Sequence, residues 1–214
     1  MDSLRLLSEF IHNNNVIDGK PSETVDVIYK LLTTTKRITP AFEAKYPSVA
    51  GQYAAYAWMV ERVRITDGIT FNDVRAIHYK LDRNREDRGA IRTESKIVRA
   101  YECPDPVGLG DVVKKFDYLL TLCDGIIQSG DVAANNYFWY VHNVFECMQP
   151  FRSDNGRVGR LMFNMLRLRH FMDISNFDVD TVTYYNAIES FHSVFGSRYA
   201  YKPEGNRKLG TGKL

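Results

Sequence analysis

Apolar residues recur along this chain in steps of three and four, the spacing that lines one face of a helix. Val112, Phe116, Leu119, Leu120, Cys123 and Ile127 follow Asp111, whose carboxylate can hold the first free N–H groups of a helix over 111–127. Ala134, Phe138, Val141, Phe145 and Met148 repeat the pattern behind Asp131 and predict a second helix over 131–148, stopped by Pro150. Val49, Tyr53, Tyr56, Val60 and Val63 predict a helix over 48–64, and Phe71, Val74, Ile77 and Leu81 predict one opening near Thr70. Leu161, Met165, Leu168 and Phe171 mark a further helix, and Val182, Tyr185, Glu189, His192 and Phe195 a weaker one. The fold class is therefore mainly α. The exception runs from Gly89 to Cys103, where charged and β-branched residues lie between a glycine and the breaker Pro104-Asp105-Pro106, a pattern that suits a short surface hairpin. Such a hairpin beside a helical body can present its backbone edge to an extended partner.

Composition leaves this reading in place and narrows the rest. At 214 residues, with 44% hydrophobic, 25% charged and 13% aromatic, the chain is globular rather than fibrous or disordered. A net charge of +2 offers no broad field for a polyanion, so nucleic acid is not expected and any anion site must be local. Cys103, Cys123 and Cys147 are odd in number and lack metal-ligand spacing, which points to a reducing compartment; no apolar run reaches the ~18 residues of a membrane span. A cytoplasmic protein without a membrane partner is expected, the host cytoplasm included for a delivered or phage-encoded protein. Asn13-Asn14-Asn15 and Thr33-Thr34-Thr35 are short polar runs with no internal repeat around them.

The chemistry concentrates in Met148-Gln149-Pro150-Phe151-Arg152-Ser153-Asp154-Asn155-Gly156-Arg157-Val158-Gly159-Arg160. This reads as a helix end, a polar loop and a new helix with two arginines three residues apart. Free N–H groups at a helix start, the positive end of its dipole and two guanidinium groups make an anion site, with phosphate the obvious ligand; a solvated helix corner is the alternative.

The segment resembles the signature of the Fic (Fido) family, H-x-F-x-[D/E]-G-N-G-R-x-x-R, at Phe151, Asn155, Gly156, Arg157 and Arg160. Ala134, His142, Phe145 and Met148 fit the helix entering that motif, and Gly89-Ala90-Ile91-Arg92-Thr93 with the proline-rich connection fits the family's flap. The resemblance covers about 48–172 and implies a Fic-type helical bundle with a short β-hairpin flap. It divides the chain into an N-terminal helical segment (1–47), a Fic-like domain (48–200) and a disordered tail (201–214).

For function the resemblance implies transfer of a nucleoside monophosphate, usually AMP from ATP with Mg2+, to a hydroxyl of a target protein. Ser153, Asn155, Gly156, Arg157 and Arg160 then form the nucleotide cradle, Phe151 anchors the loop, and Arg92 and Thr93 of the flap align the target. The two chemical positions depart from the pattern. Gln149 stands where the family has its general base, and Ser153 stands at the acidic metal-binding position with Asp154 in place of glycine. Glutamine accepts no proton near neutral pH, and losing a general base costs ~10²–10⁴ in rate. Asp154 is read as a cap of the next helix or, displaced by one residue, as a metal ligand. His142 lies about 10 Å along its helix from Gln149 and is read as a packed or capping histidine; His78 and His170 are read as structural. The family's inhibitory pattern fits Thr39-Pro40-Ala41-Phe42-Glu43-Ala44 poorly, so Glu43 is read as solvated. Three functions remain: a diverged nucleotidyltransferase, a pseudoenzyme binding nucleotide or protein, and phosphate or sugar transfer on the same scaffold.

Overall fold

The computed structural model describes residues 2–35, 37–81, 85–98, 101–126 and 130–196. In chain order these form α1 (Ser3–Ile17), α2 (Val25–Thr34), α3 (Pro40–Lys45), α4 (Pro47–Ile65), α5 (Phe71–Leu81), β1 (Ile97–Val98), β2 (Tyr101–Glu102), α6 (Pro106–Ile126), α7 (Asp131–Met148), α8 (Asn155–Phe171) and α9 (Thr181–Phe191), closed by a π-helical turn at His192–Gly196. The expected mainly α fold with a small hairpin is what the chain adopts. Ile127 and the tail expected over 201–214 lie outside the described residues.

α8 is the axis of the bundle. Its residues Arg157 to Leu166 are all buried, because α1, α4, α5 and α7 pack around it. A helix enclosed on every side shows little amphipathic contrast in sequence, and its first turns carry buried polar groups that need partners. Two glycines set the closest crossings. A Cβ on Gly159 would lie 2.6 Å from Glu146 Oε1 and 3.0 Å from Phe145 Cδ1, so only glycine lets α8 approach α7 this closely. A Cβ on Gly51 would lie 2.0 Å from the Leu81 carbonyl oxygen, where α4 meets the end of α5.

α1 belongs to the same core. Leu7, Phe10 and Ile11 are fully buried and join one hydrophobic cluster with Val158, Leu161 and Met165 of α8. α6 begins at Pro106, five residues before the expected cap at Asp111. Proline is tolerated in a first turn, where its missing N–H would be unpaired anyway, and Asp105 Oδ1 accepts the Val107 N–H at 2.9 Å. Asp111 is an exposed mid-helix residue facing Lys114. The hairpin is antiparallel, pairing Ile97 with Glu102 and Val98 with Tyr101. No helix among the described residues is long and apolar enough to cross a membrane.

Candidate functional site

The loop between α7 and α8 is built by two left-handed residues. Gln149 closes α7 at φ 44°, ψ 60°, its N–H bonded to the Phe145 carbonyl at 3.0 Å. Pro150 disfavours the right-handed helical region for the residue before it, so the chain leaves α7 there. Asp154 precedes α8 at φ 61°, ψ 11°. Between them Phe151 is fully buried, its ring stacked on His78 at 4.1 Å and within 6.1 Å of Phe71. Asn155 fastens the loop with two bonds, Oδ1 accepting from the Phe151 N–H at 2.9 Å and Nδ2 donating to the Phe151 carbonyl at 2.7 Å.

The flap is riveted to this loop from the other side. The Arg92 backbone N–H donates to the Pro150 carbonyl at 2.9 Å, and its side chain donates to the carbonyls of Gln149 (2.8 Å), Glu94 (2.6 Å) and Pro104 (2.5 Å). Arg92, expected to meet a target, is instead buried and engaged on every side, because carbonyls converging on one point need a multidentate donor. Thr93, its neighbour, is exposed. Lys96 Nζ adds bonds to the carbonyls of Phe151 (3.3 Å) and Arg152 (3.1 Å). His78 Nδ1 accepts the Gly89 N–H at 2.7 Å, and burial holds its pKa down at about 4, so it is a neutral strut between α5, flap and loop.

Both motif arginines are buried at the start of α8. Arg160 is fully buried; Nε donates to Asn14 Oδ1 at 2.5 Å, and Nη2 donates to the Asn14 carbonyl at 3.1 Å and to Asp18 Oδ1 at 2.5 Å. Its guanidinium lies 5.0 Å from the Tyr184 ring centre. Arg157 donates to Asp154 Oδ1 at 2.7 Å and to Ser48 Oγ at 3.2 Å. One nitrogen of each, Arg160 Nη1 and Arg157 Nε, is buried without a hydrogen-bond partner. A ring of amides and hydroxyls ties the two together through α1 and α4. Ser48 Oγ donates to Asn15 Oδ1 at 2.7 Å, Gln52 Nε2 donates to Asn15 Oδ1 at 3.0 Å, and Asn14 Nδ2 donates to Gln52 Oε1 at 2.6 Å.

Asp154 does not cap α8; no side chain does. Its Oδ1 takes Lys20 at 2.6 Å and Arg157 at 2.7 Å, and its Oδ2 faces Arg85 at 3.8 Å. Burial alone would raise this carboxyl, but the charges of Arg157 and Lys20 outweigh burial and hold it well below the usual carboxylate range. Ser153 Oγ accepts from Arg85 and donates to Asp154 Oδ2 at 3.2 Å. A carboxylate already shared by three cations and a hydroxyl beside it are a poor donor set for a divalent ion, which needs several unpaired oxygens. No cluster of three or more metal-ligating side chains occurs among the described residues.

Gln149 is buried, and its Nε2 donates to Glu146 Oε2 at 3.0 Å. Glu146 is itself buried and accepts the Tyr184 hydroxyl at 3.4 Å. His142 Nε2 bonds the same hydroxyl at 2.8 Å, and burial lowers its pKa to about 3. His142 is thus the packed, neutral histidine its spacing suggests, and His170 packs on Phe138 at 5.0 Å, with Asp124 3.9 Å away. The structure therefore gathers Gln149, Phe151, Ser153, Asp154, Asn155, Gly156, Arg157 and Arg160 around one loop. It adds Asn14, Asp18, Lys20, Ser48, Arg85, Glu146 and Tyr184, which sequence reasoning missed. One signal existed: three consecutive asparagines, poor helix formers, inside the apolar stripe of α1. The salt bridge to Arg160 comes from Asp18 at the end of α1, whereas Glu43 lies in the first turn of α3.

No family model matches the sequence, and neither does any curated protein. Solved structures do. The chain superposes on a Fic domain containing signaling protein from Bacteroides thetaiotaomicron with a TM-score of 0.65 at 16% identity, over 89% of this chain and 73% of that one. Fic-1 (residues 134–508) from C. elegans gives 0.62 at 17% identity, over 90% and 56%. A Fic family protein from Desulfovibrio desulfuricans gives 0.61 at 18% identity, over 94% and 60%. The chain thus spans little more than half the length of the last two.

Proposed function

With the Fic fold in place, we propose that this chain binds a nucleotide or related polyphosphate at the start of α8 and acts through binding rather than catalysis. The observation that carries the proposal is the pair of buried arginines, Arg157 and Arg160, each with an unpartnered nitrogen beside an uncapped helix N-terminus. Buried donors without acceptors are costly, and an anion at a helix start satisfies them together with the dipole. Asp18 and Asp154 already supply carboxylates to the two guanidinium groups, so phosphate oxygens would enter by displacing one of them. Asp18 is the one at hand: its Oδ1 lies 2.8 Å from where a Gly156 Cβ would be.

The case against catalysis rests on Gln149. The side chain facing the loop in place of a base is an amide, and the histidines packed against Phe151 and Gly159, His78 and His142, are buried, neutral and hydrogen-bonded. Ser153 and Asp154 offer no ready ligand set for Mg2+, so phosphate binding here relies on Arg157, Arg160 and helix N–H groups. A second reading, nucleotidyl transfer to a target hydroxyl, is favoured by the hairpin flap held across the loop by Arg92.

Calorimetry with ATP, GTP, CTP and UTP, with and without Mg2+, tests the proposal, and labelled nucleotide with candidate target proteins separates the two readings. Saturable binding of little Mg2+ dependence without label transfer is expected. Absence of binding at millimolar nucleotide overturns the cradle, and robust transfer overturns the binding-only assignment.

A further inference from the structure

Glu146 lies directly beneath the cradle, only 3% exposed, among groups from every element packed against it. Arg160 faces it from α8, Asp18 from the end of α1, Tyr184 and Tyr185 from α9 and Lys96 from the flap. Cys147 is its neighbour on α7, and Cys103 closes the hairpin nearby. Its two oxygens accept Gln149 Nε2 at 3.0 Å and the Tyr184 hydroxyl at 3.4 Å. The buried cation Arg160 therefore stands among two carboxyl groups and gives its close contact, at 2.5 Å, to Asp18. Burial pushes the Glu146 carboxyl up to about 7, even with Arg160 opposing.

We infer that Glu146 is the proton-accepting, positioning residue of the cradle: when an anion takes Arg160 in place of Asp18, Glu146 takes up one proton from solvent. This rests on the anion-site reading above. The physical reason is charge balance in a buried space. A dianion replacing a monoanionic aspartate adds negative charge beside Glu146, and a buried carboxylate next to added negative charge binds a proton. Asp18, already 11% exposed at its side chain, can turn out to solvent, whereas Glu146, only 3% exposed, has no such escape. A protonated Glu146 still holds Gln149 through its carbonyl oxygen, so the loop keeps its shape while the charge is absorbed. By linkage, the anion binds more tightly as pH falls, approaching tenfold per pH unit just above the free protein's midpoint.

The neighbouring histidines and Cys103 fall outside that window. His142 titrates at about 3, His78 at about 4 and Cys103 at about 11. Sulfate is the probe, because it remains a dianion from pH 6 to 9 and lends no proton change of its own. Calorimetry of sulfate binding in two buffers of different ionisation heat reads proton uptake directly. Close to one proton taken up near pH 8, with affinity falling about tenfold from pH 7.5 to 8.5, is expected of the wild type. Both should vanish in Glu146→Gln, which keeps the Gln149 contact. Sulfate binding with no proton uptake overturns the inference and leaves the anion site standing. Uptake unchanged in Glu146→Gln also overturns it. No sulfate binding at any pH overturns the anion site and this inference together.

Discussion

Arg160 is the residue whose surroundings decide most. A fully buried guanidinium is retained only with acceptors close by, and it has Asp18 and Asn14. Burial lowers its proton affinity, but Tyr184, Asp18 and Glu146 reverse this, so it stays charged. A ligand must therefore compete with Asp18. Replacing Asp18→Asn keeps a hydrogen-bond acceptor and removes the competing charge; nucleotide or sulfate affinity is expected to rise about five- to tenfold by calorimetry, the size of a ~1 kcal/mol coupling. Arg160→Ala should abolish binding, and Arg160→Lys, which keeps the charge but loses the fork, should weaken it at least tenfold while leaving the protein folded by circular dichroism. Equal affinity in all three variants would show that the anion, if bound, lies elsewhere.

Elements meet here at glycines and at one arginine. Gly159 and Gly51 are where α8 touches α7 and where α4 touches α5, and each added Cβ would overlap a neighbour. Gly159→Ala is expected to cost about 1–3 kcal/mol in urea unfolding. Gly51→Ala should cost more, since the obstacle at 2.0 Å is a backbone carbonyl rather than a movable side chain. In the flap, Arg92→Ala leaves three carbonyls without their donor and should destabilise by roughly 2–3 kcal/mol. It should also loosen the loop: exchange of the protected Arg92 and Gln149 amide hydrogens is expected to speed up. Thr93 is exposed beside it, so Thr93→Pro should leave stability and nucleotide affinity near wild type while impairing any partner that pairs with the flap edge. Unaltered partner binding would remove the flap edge as a docking strand.

At the scale of the molecule, buried titratable groups shape the response to acid with opposite signs. His78 and His142 are neutral in the fold, with pKa values of about 4 and 3 against an ordinary 6.5. As pH falls from 7 to 5 the unfolded chain binds protons that the native state refuses, so each histidine costs about 2 kcal/mol of stability over that interval. Glu146 works the other way. Its folded value near 7 exceeds its unfolded value, so the native state binds the extra proton and regains about 2 kcal/mol over the same interval. Glu146→Gln should therefore lose more stability between pH 7 and 5 than the wild type, measured by urea unfolding at both pH values. Asp154, with its pKa depressed, contributes its full stability above its unfolded value near 4 and loses it progressively as pH falls from there through the lower folded value, so Asp154→Asn should be destabilising at pH 7 and progressively less so as pH drops below about 4.

The helices over 71–81 and 131–148 were legible because each buries the apolar stripe that its spacing marks. The helix over 48–64 forms where expected, but of its stripe only Val49 is buried, and Ala50, Gly51, Gln52, Ala55 and Met59 face the core, because small residues are what the close approach of α5 and α8 admits. The loop from Gln149 to Arg160 was legible because residue types there are tied to backbone shape and charge: a proline ends α7, and an asparagine and a glycine open α8. Legibility stopped where partners come from distant chain. Asp18 sits 142 residues from Arg160 and Lys20 sits 134 from Asp154, and no local spacing announces such pairs. Arg92 was visible as a charged residue of a surface hairpin, yet packing turned it inward because three carbonyls converge there. The start of α6 was misplaced because Pro106 reads as a breaker along the chain but sits comfortably in a first turn. Sequence by itself determined the helices, the hairpin and the charged loop, since these follow from local periodicity and backbone preference. Tertiary structure alone decided which charges meet in the buried space at the start of α8, because desolvation there forces each ion to find a partner wherever the fold brings one.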